Sequence, residues 1–511
     1  MKFLSYLNRT IEYSFYALFF LVPLVFSGAP SELFEFPKMF FTFGLTIIIG
    51  TAWFSKMIVQ RQFKIQRTPL DIPLILFLLS QIISTVFSID QHVSLWGYYS
   101  RFNGGLLSLI SYLFLYYALV SNFDVKKTLR LIYVCLISGL IVALWGFPSH
   151  FGIDPTCFVF RQTLDTSCWT EAFKPTIRIF STLGQPAWMA AYMASLIPLL
   201  ISLFLINRQP NSESPNKNQE SSIMYYVSQK SFILTTCYLI LATLFYLDLL
   251  YTNTRGGFIA FWIANIVFWG GLFFLSFRVK RSGAEESARN VIPASSGARS
   301  GFARQSGMTI LRYFLIVNLI FVFCNFLAGV PIESLNKFTL PKLNASSSKP
   351  ATRQIGGLEG TNITDSGNIR LLVWRGAIDT WKAHPLIGTG VETFAFSYYK
   401  YKPAAHNLTS EWDYLYNKAH NEYLNYLATT GILGLGSYLL IIGVFLFISF
   451  RKLKVKNSQL KVAVQNSKSE KILPLDPNFE LCTLNFALIA GYISILVSNF
   501  FGFSVVIINL L

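Results

Sequence analysis

Charge is scarce in this 511-residue chain: Asp, Glu, Lys and Arg together make up 13% of it, about half the share of a soluble globular domain. That scarcity excludes a soluble enzyme and a disordered chain, both of which need a polar exterior. Histidine is down to five residues and cysteine to six, and no Cys/His spacing has the form of a zinc site. No repeat with a period of about 20 to 50 residues is present. The first apolar run, Ile11 to Phe26, is followed by no small-x-small cleavage site and reads as a retained span.

What fills the chain instead is apolar. Hydrophobic residues reach 53%, Phe alone counts 48, and the mean hydropathy is +0.47. Apolar runs of roughly 18 to 25 residues recur along the sequence, each long enough to cross about 30 Å of hydrocarbon as a helix. Membrane-barrel strands would be shorter and would alternate apolar with polar residues, which these runs do not. The expected fold is an all-α polytopic membrane protein of about eleven to twelve transmembrane helices. Spans are expected near 11–28, 38–55, 71–88, 104–120, 128–147, 184–206, 231–250, 257–277, 310–330, 422–450 and 480–499. A final run, Phe500 to Leu511, is too short to cross and reads as a cut-off twelfth span or the end of a long tilted helix.

The net charge of +17 is what basic cytoplasmic loops give a helical membrane protein, so nucleic acid is not an expected partner. Loops bearing Lys56 to Arg67, Lys126 to Arg130, Arg278 to Arg312 and Arg451 to Lys471 alternate correctly if the N-terminus is cytoplasmic. Connections 89–103, 148–183, 251–256 and 331–421 then lie outside, and with them all five histidines. The expected division is a membrane bundle over 1–330, a large outer loop over 331–421 and C-terminal spans over 422–511. Within the outer loop, Asn344 to Ser366 reads as a flexible polar stretch. Ile369, Leu372, Val373, Ala377 and Trp381 have helical spacing and predict an amphipathic helix on the membrane surface. The connections 207–230, 278–309 and 451–479 read as polar tethers.

Candidate chemistry sits on the outer side. Arg255 lies in a tight hairpin, Leu250 to Gly257, where an arginine either anchors a helix by snorkelling or binds an anion beside the close-approaching Gly256 and Gly257. Asp248 is its expected counter-ion. Arg178 opens the sixth span, followed by Ser181, Thr182 and Gln185, and two arginines at helix ends can clamp a diphosphate if the bundle brings them together. His420 precedes the tenth span, where an imidazole either fills the interface or takes a proton from a hydroxyl near neutral pH. His406 offers the same His-Asn dipeptide away from any span, and His384 precedes a proline in a turn. No Asp-x-Asp pair lies outside, which disfavours a metal-dependent sugar transferase, and Glu32 and Glu35 read as a solvated face. Cys135, Cys237, Cys324 and Cys482 read as small apolar packers in spans. Cys157 and Cys168 share one outer loop and are expected to pair in an oxidising space.

Six elements in order, Gly97 to Gly104 with Arg101, Arg178 with Ser181 to Pro186, Thr254 to Gly256, Arg370 with Trp374, Gly388 to Phe394, and His420 to Leu424 with Gly431, resemble the O-antigen ligase and polymerase superfamily of bacteria. The resemblance implies a metal-independent, inverting transfer of a glycan from undecaprenyl diphosphate to a lipid or protein acceptor, without a cofactor. It also implies a bacterial cytoplasmic membrane location with the site on the outer face. In that reading Arg178 and Arg255 hold the diphosphate, His420 is the base, and Arg101, Arg370, Arg375 and Asn421 are further substrate-binding candidates. Glycan polymerisation and protein O-glycosylation share these motifs. A transporter or flippase is the alternative from another class, and it would place charged residues deep in the spans, where few stand here.

Overall fold

The computed structural model describes residues 2–170, 173–207, 232–289, 296–341, 366–455 and 477–511. Among them the chain is all helix, with no strand. Eight helices are long and apolar enough to cross a membrane: Glu35–Gln60, Val125–His150, Pro186–Asn207, Ile233–Tyr251, Arg255–Leu275, Met308–Ala328, Glu422–Arg451 and Glu480–Phe500. Asp71–Val86 and Leu106–Asn122 are shorter apolar helices, and the first expected span falls on helix Lys2–Leu21. Each of the eleven runs read from hydropathy therefore falls largely on a helix, the first only as far as Leu21. The polar stretch from Asn344 and most of the tethers 207–230 and 451–479 lie outside the described residues, whereas the third, 278–309, is mostly helical, as the ends of helices Arg255–Arg289 and Ser296–Ala328.

The contacts divide the chain into two units. The first combines Met1–Met189, Ser348–Lys452 and Ser498–Leu511, and the second combines Ala190–Ser347 and Leu453–Val497. In the second unit, glycines let helices meet. A Cβ at Gly257 would collide with Ala190, one at Gly271 with the Phe486 ring, and one at Gly491 with the Ser195 carbonyl. Tyr246 donates to Asn325 at 2.6 Å, and Asn265 to Asn318 at 2.6 Å, so the few polar side chains in these helices find one another.

In the first unit, helix Glu422–Val455 is interrupted at Gly431, whose φ of 64° and ψ of −165° are not helical. A break of this kind strands backbone groups, and buried ones need partners. Here the segment Pro385–Gly390 fills the break. Ile432 and Leu433 donate to the Pro385 and Leu386 carbonyls at 2.9 and 3.2 Å, while Thr389 and Gly390 donate to the Ala428 and Thr429 carbonyls at 3.3 and 2.8 Å. The approach is too close for side chains: a Cβ on Gly388 or Gly431 would run into the opposing backbone. The hydropathy run had shown one continuous span because an apolar profile does not register where a helix opens.

The amphipathic segment forms helix Ser366–Ala383. Its apolar stripe of Ile369, Val373 and Ala377 is buried against Phe394, Tyr398, Tyr416, Ala419 and Ala428. That stripe therefore packs into protein, not lipid; amphipathic spacing shows that a face is buried without showing by what.

Residues after Phe500 neither continue the preceding helix nor cross as a span. The chain turns at 501–505 and ends in a short helix, Val506–Leu510, with Val506, Ile507 and Ile508 buried. Val506 N–H donates to the Glu35 carboxylate at 2.9 Å.

Candidate functional site

The loop 97–105 presents Arg101. Gly97 and Gly104 have φ of 92° and 90°, and Phe102 is left-handed at 52°. The Phe102 ring is anchored against Phe36, Phe40 and Trp96, and Asn103 accepts from the Tyr112 hydroxyl at 2.9 Å. With its neighbours fixed, Arg101 lies 5.4 Å from the Trp188 ring centroid and 5.5 Å from that of Phe503. Its Nε and Nη1 are buried with no hydrogen-bond partner among the described residues.

His420 stands in the same corner. Its backbone is left-handed, φ 51°, a conformation that costs a non-glycine residue of order 1 kcal/mol or more and persists only where the surroundings impose it. They do so from both sides. Ala419 N–H donates to Asn425 Oδ1 at 3.3 Å, and Asn421 caps the following helix by accepting from Leu424 N–H at 3.0 Å. The half-buried imidazole lies between Tyr416, at 5.7 Å, and Phe503, at 5.6 Å. Burial first, then the charges of Arg370 and Arg101, pull its pKa down from 6.5 to about 4. His420 is thus neutral at pH 7, with a lone pair available to accept a proton.

Arg178 keeps an exposed face, yet surrounding protein and, after it, the charge of Arg370 hold its pKa below the ordinary value. Arg370 thus acts on both Arg178 and His420, so three basic groups share one neighbourhood with Arg101. The residues after Arg178 are structural. Ser181 and Thr182 are buried and donate to the carbonyls of Val142 and Pro23 at 2.7 and 2.8 Å. The Lys38 ammonium, wholly buried, donates to the Thr182 and Val25 carbonyls at 2.8 and 2.9 Å and ties this segment to the connection between helices Lys2–Leu21 and Glu35–Gln60.

Arg255 begins a helix of the second unit and is exposed. Gly257 beside it lets its helix pack closely against Ala190. The Asp248 carboxylate has no hydrogen-bond partner among the described residues, so it is not that arginine's hydrogen-bonded counter-ion. Arg375 is exposed and, five positions on from Arg370, points about 140° away around the helix. His406 is fully buried, with Nδ1 bonded to the Tyr398 hydroxyl at 2.6 Å; burial and then Lys402 lower its pKa. It is a core histidine. His384 sits near Tyr401 at the helix end.

Three features escaped the sequence reading. Glu35 is fully buried, not solvated. Lys418 and Glu392 form an ion pair with both side chains nearly buried; Glu392 lies within the Gly388 to Phe394 element, but its pairing with a residue 26 positions away is set by the fold. Phe503 is buried, in a terminal run that had offered no candidate residue.

Cys157 and Cys168 are joined by a disulfide, with Cα atoms 5.5 Å apart. Asp154 beside them caps helix Pro155–Arg161 through Thr156 N–H and accepts from the Trp169 indole, whose ring packs on Phe34 and Phe180. The disulfide loop therefore rests against the segment that carries Arg178. Asp154, Cys157 and Cys168 cluster tightly enough for a metal, but both sulfurs are spent in the disulfide. Of the remaining cysteines, Cys135 and Cys324 are buried, Cys482 is half-buried and Cys237 is exposed.

Residues 239–439 match the O-antigen ligase family. The matched stretch contains Arg255, Arg370, the Gly388–Gly390 and Gly431 break and His420, and it supports the resemblance to the O-antigen ligase and polymerase superfamily. Members of that family act in glycan transfer. No curated protein matches it.

Proposed function

We propose that the chain transfers a glycan from undecaprenyl diphosphate to an acceptor hydroxyl at the outer leaflet of a bacterial cytoplasmic membrane, its N-terminus lying on the cytoplasmic side. The acceptor oxygen attacks the anomeric carbon, the bond from that carbon to the diphosphate oxygen breaks with its electron pair, and the acceptor proton passes to His420. Attack opposite the leaving group inverts the anomeric centre. Arg178, Arg370 and Arg101 stabilise the charge that develops on the leaving diphosphate, and Arg255 is assigned the same role from its motif. Asn421 acts by capping the helix after His420. Arg375, on another helix face, has no part in this assignment. Ligation to a lipid, chain polymerisation and protein O-glycosylation all use this chemistry and differ in the acceptor.

The observation that supports this reading is electrostatic: one residue, Arg370, lowers the pKa of both Arg178 and His420. A cluster of guanidinium groups beside a neutral imidazole can hold an anionic leaving group next to a proton acceptor. The test is a reconstituted protein given lipid-linked donor and acceptor, with release of undecaprenyl diphosphate measured. His420→Ala should leave donor binding nearly intact and cut turnover about a hundredfold or more. Undiminished turnover would remove His420 from the mechanism.

A further inference from the structure

Three basic side chains meet at one aromatic ring. Arg101 Cζ lies 5.5 Å from the Phe503 centroid, Lys418 Nζ 5.7 Å and the His420 ring 5.6 Å. Trp188 backs the group, 6.2 Å from Phe503 in an edge-on arrangement and 5.4 Å from Arg101. Arg101 and Lys418 are both cations and repel, and the electron-rich ring face between them and the neutral imidazole offsets part of that repulsion where water is largely excluded.

The segment that carries the ring is pinned on every side. Ser504 N–H donates to Glu422 at 3.3 Å, Val506 N–H to Glu35 at 2.9 Å, Asn499 to the Ser504 hydroxyl at 2.9 Å, and Asn509 to Asn103 at 3.4 Å. Two fully or nearly buried carboxylates thus bind the backbone of a terminal segment. Asn103 lies two residues from Arg101, and Glu422 two residues from His420, so the anchors join Phe503 to the two groups it holds. Lys418 is fixed in turn by its ion pair with Glu392, whose carboxylate lies against Gly104 in the Arg101 loop.

We propose that Phe503 is a positioning residue of the site, its ring being the common surface that sets Arg101, Lys418 and His420 in mutual register. The role rests on the glycan-transfer reading for its purpose but not for its geometry. Loss of the ring frees Arg101 to swing outward and admits water beside His420. The charged groups around that imidazole are Arg370 and Arg101, with Lys418 two residues before it and Glu422 two residues after.

The test uses the full chain in nanodiscs with labelled histidine, the His420 signal identified by its loss in His420→Gln. Phe503→Leu should move the His420 titration midpoint up by about one unit and weaken binding of a polyprenyl-diphospho-sugar at least about tenfold. Phe503→Tyr, which keeps the ring face, should restore both. An unchanged midpoint and affinity in Phe503→Leu would overturn the proposal. Equal shifts in the Leu and Tyr variants, together with equal loss of thermal stability, would also overturn it, since only general packing would then be at stake. If the midpoint moves and is rescued while wild-type protein binds no donor, the positioning role stands and the glycan-transfer reading falls.

Discussion

Protonation of His420 and binding of the donor should be linked, because the arginines that disfavour the imidazolium are those assigned to the diphosphate. A pKa of about 4 against the ordinary 6.5 means that protonating His420 in the folded protein costs about 3 kcal/mol more than in water. Burial contributes the largest part and Arg370 and Arg101 the rest. A bound diphosphate diester, with two negative charges, cancels the arginine part and leaves the burial part. Assigning about one pKa unit to the arginines, donor binding raises the His420 pKa to about 5, and by reciprocity the protonated protein binds donor about tenfold more tightly. The sign follows: affinity is flat above about pH 5, rises as pH falls between about 5 and 4, and levels below that. Calorimetric titration with a short-chain polyprenyl-diphospho-sugar from pH 4 to 8 measures it, His420→Gln serving as the flat reference. In turnover, the acid limb at saturating donor should lie above the limb of kcat/KM. Wild-type affinity that follows the His420→Gln curve, or that weakens on acidification relative to it, would refute the linkage and with it the shared corner of arginines and histidine.

Arg178→Lys keeps charge but loses the planar fork and should weaken donor binding about tenfold, while Arg370→Gln removes a cation from beside His420 and should shift the acid limb of kcat/KM to higher pH. Non-reducing peptide mapping of protein from an oxidising envelope should find Cys157 joined to Cys168, and Cys168→Ser should lower stability by about 2 kcal/mol; two free thiols would contradict the pairing. Gly431→Ala places a Cβ against the Leu386 carbonyl at a φ that alanine avoids, and a loss of about 2 kcal/mol or more is expected in thermal unfolding. Single cysteines at Ala351 and Lys456 should be labelled from opposite sides of the membrane, as the alternation of basic loops requires.

Hydropathy alone determined the helices, because twenty consecutive apolar residues have few other ways to satisfy their backbone in lipid. The order of Arg101, Arg178, Arg370 and His420 along the chain was legible too, as was the pairing expected of Cys157 with Cys168. What those residues touch was not. The Gly431 break depends on the Pro385 and Leu386 carbonyls that accept its freed N–H groups, and no local pattern around Gly431 encodes a partner some 45 positions away. Glu35 read as solvated because an acid in a loop usually is, whereas its burial depends on Val506 at the far end of the chain. The two His-Asn dipeptides were alike as sequence. Tertiary packing separated them, sealing His406 into a tyrosine core and setting His420 beside the arginines. Phe503 shows the limit most plainly: one more phenylalanine among 48, it gains a role only because the folded chain turns back and lays its ring beneath three basic groups.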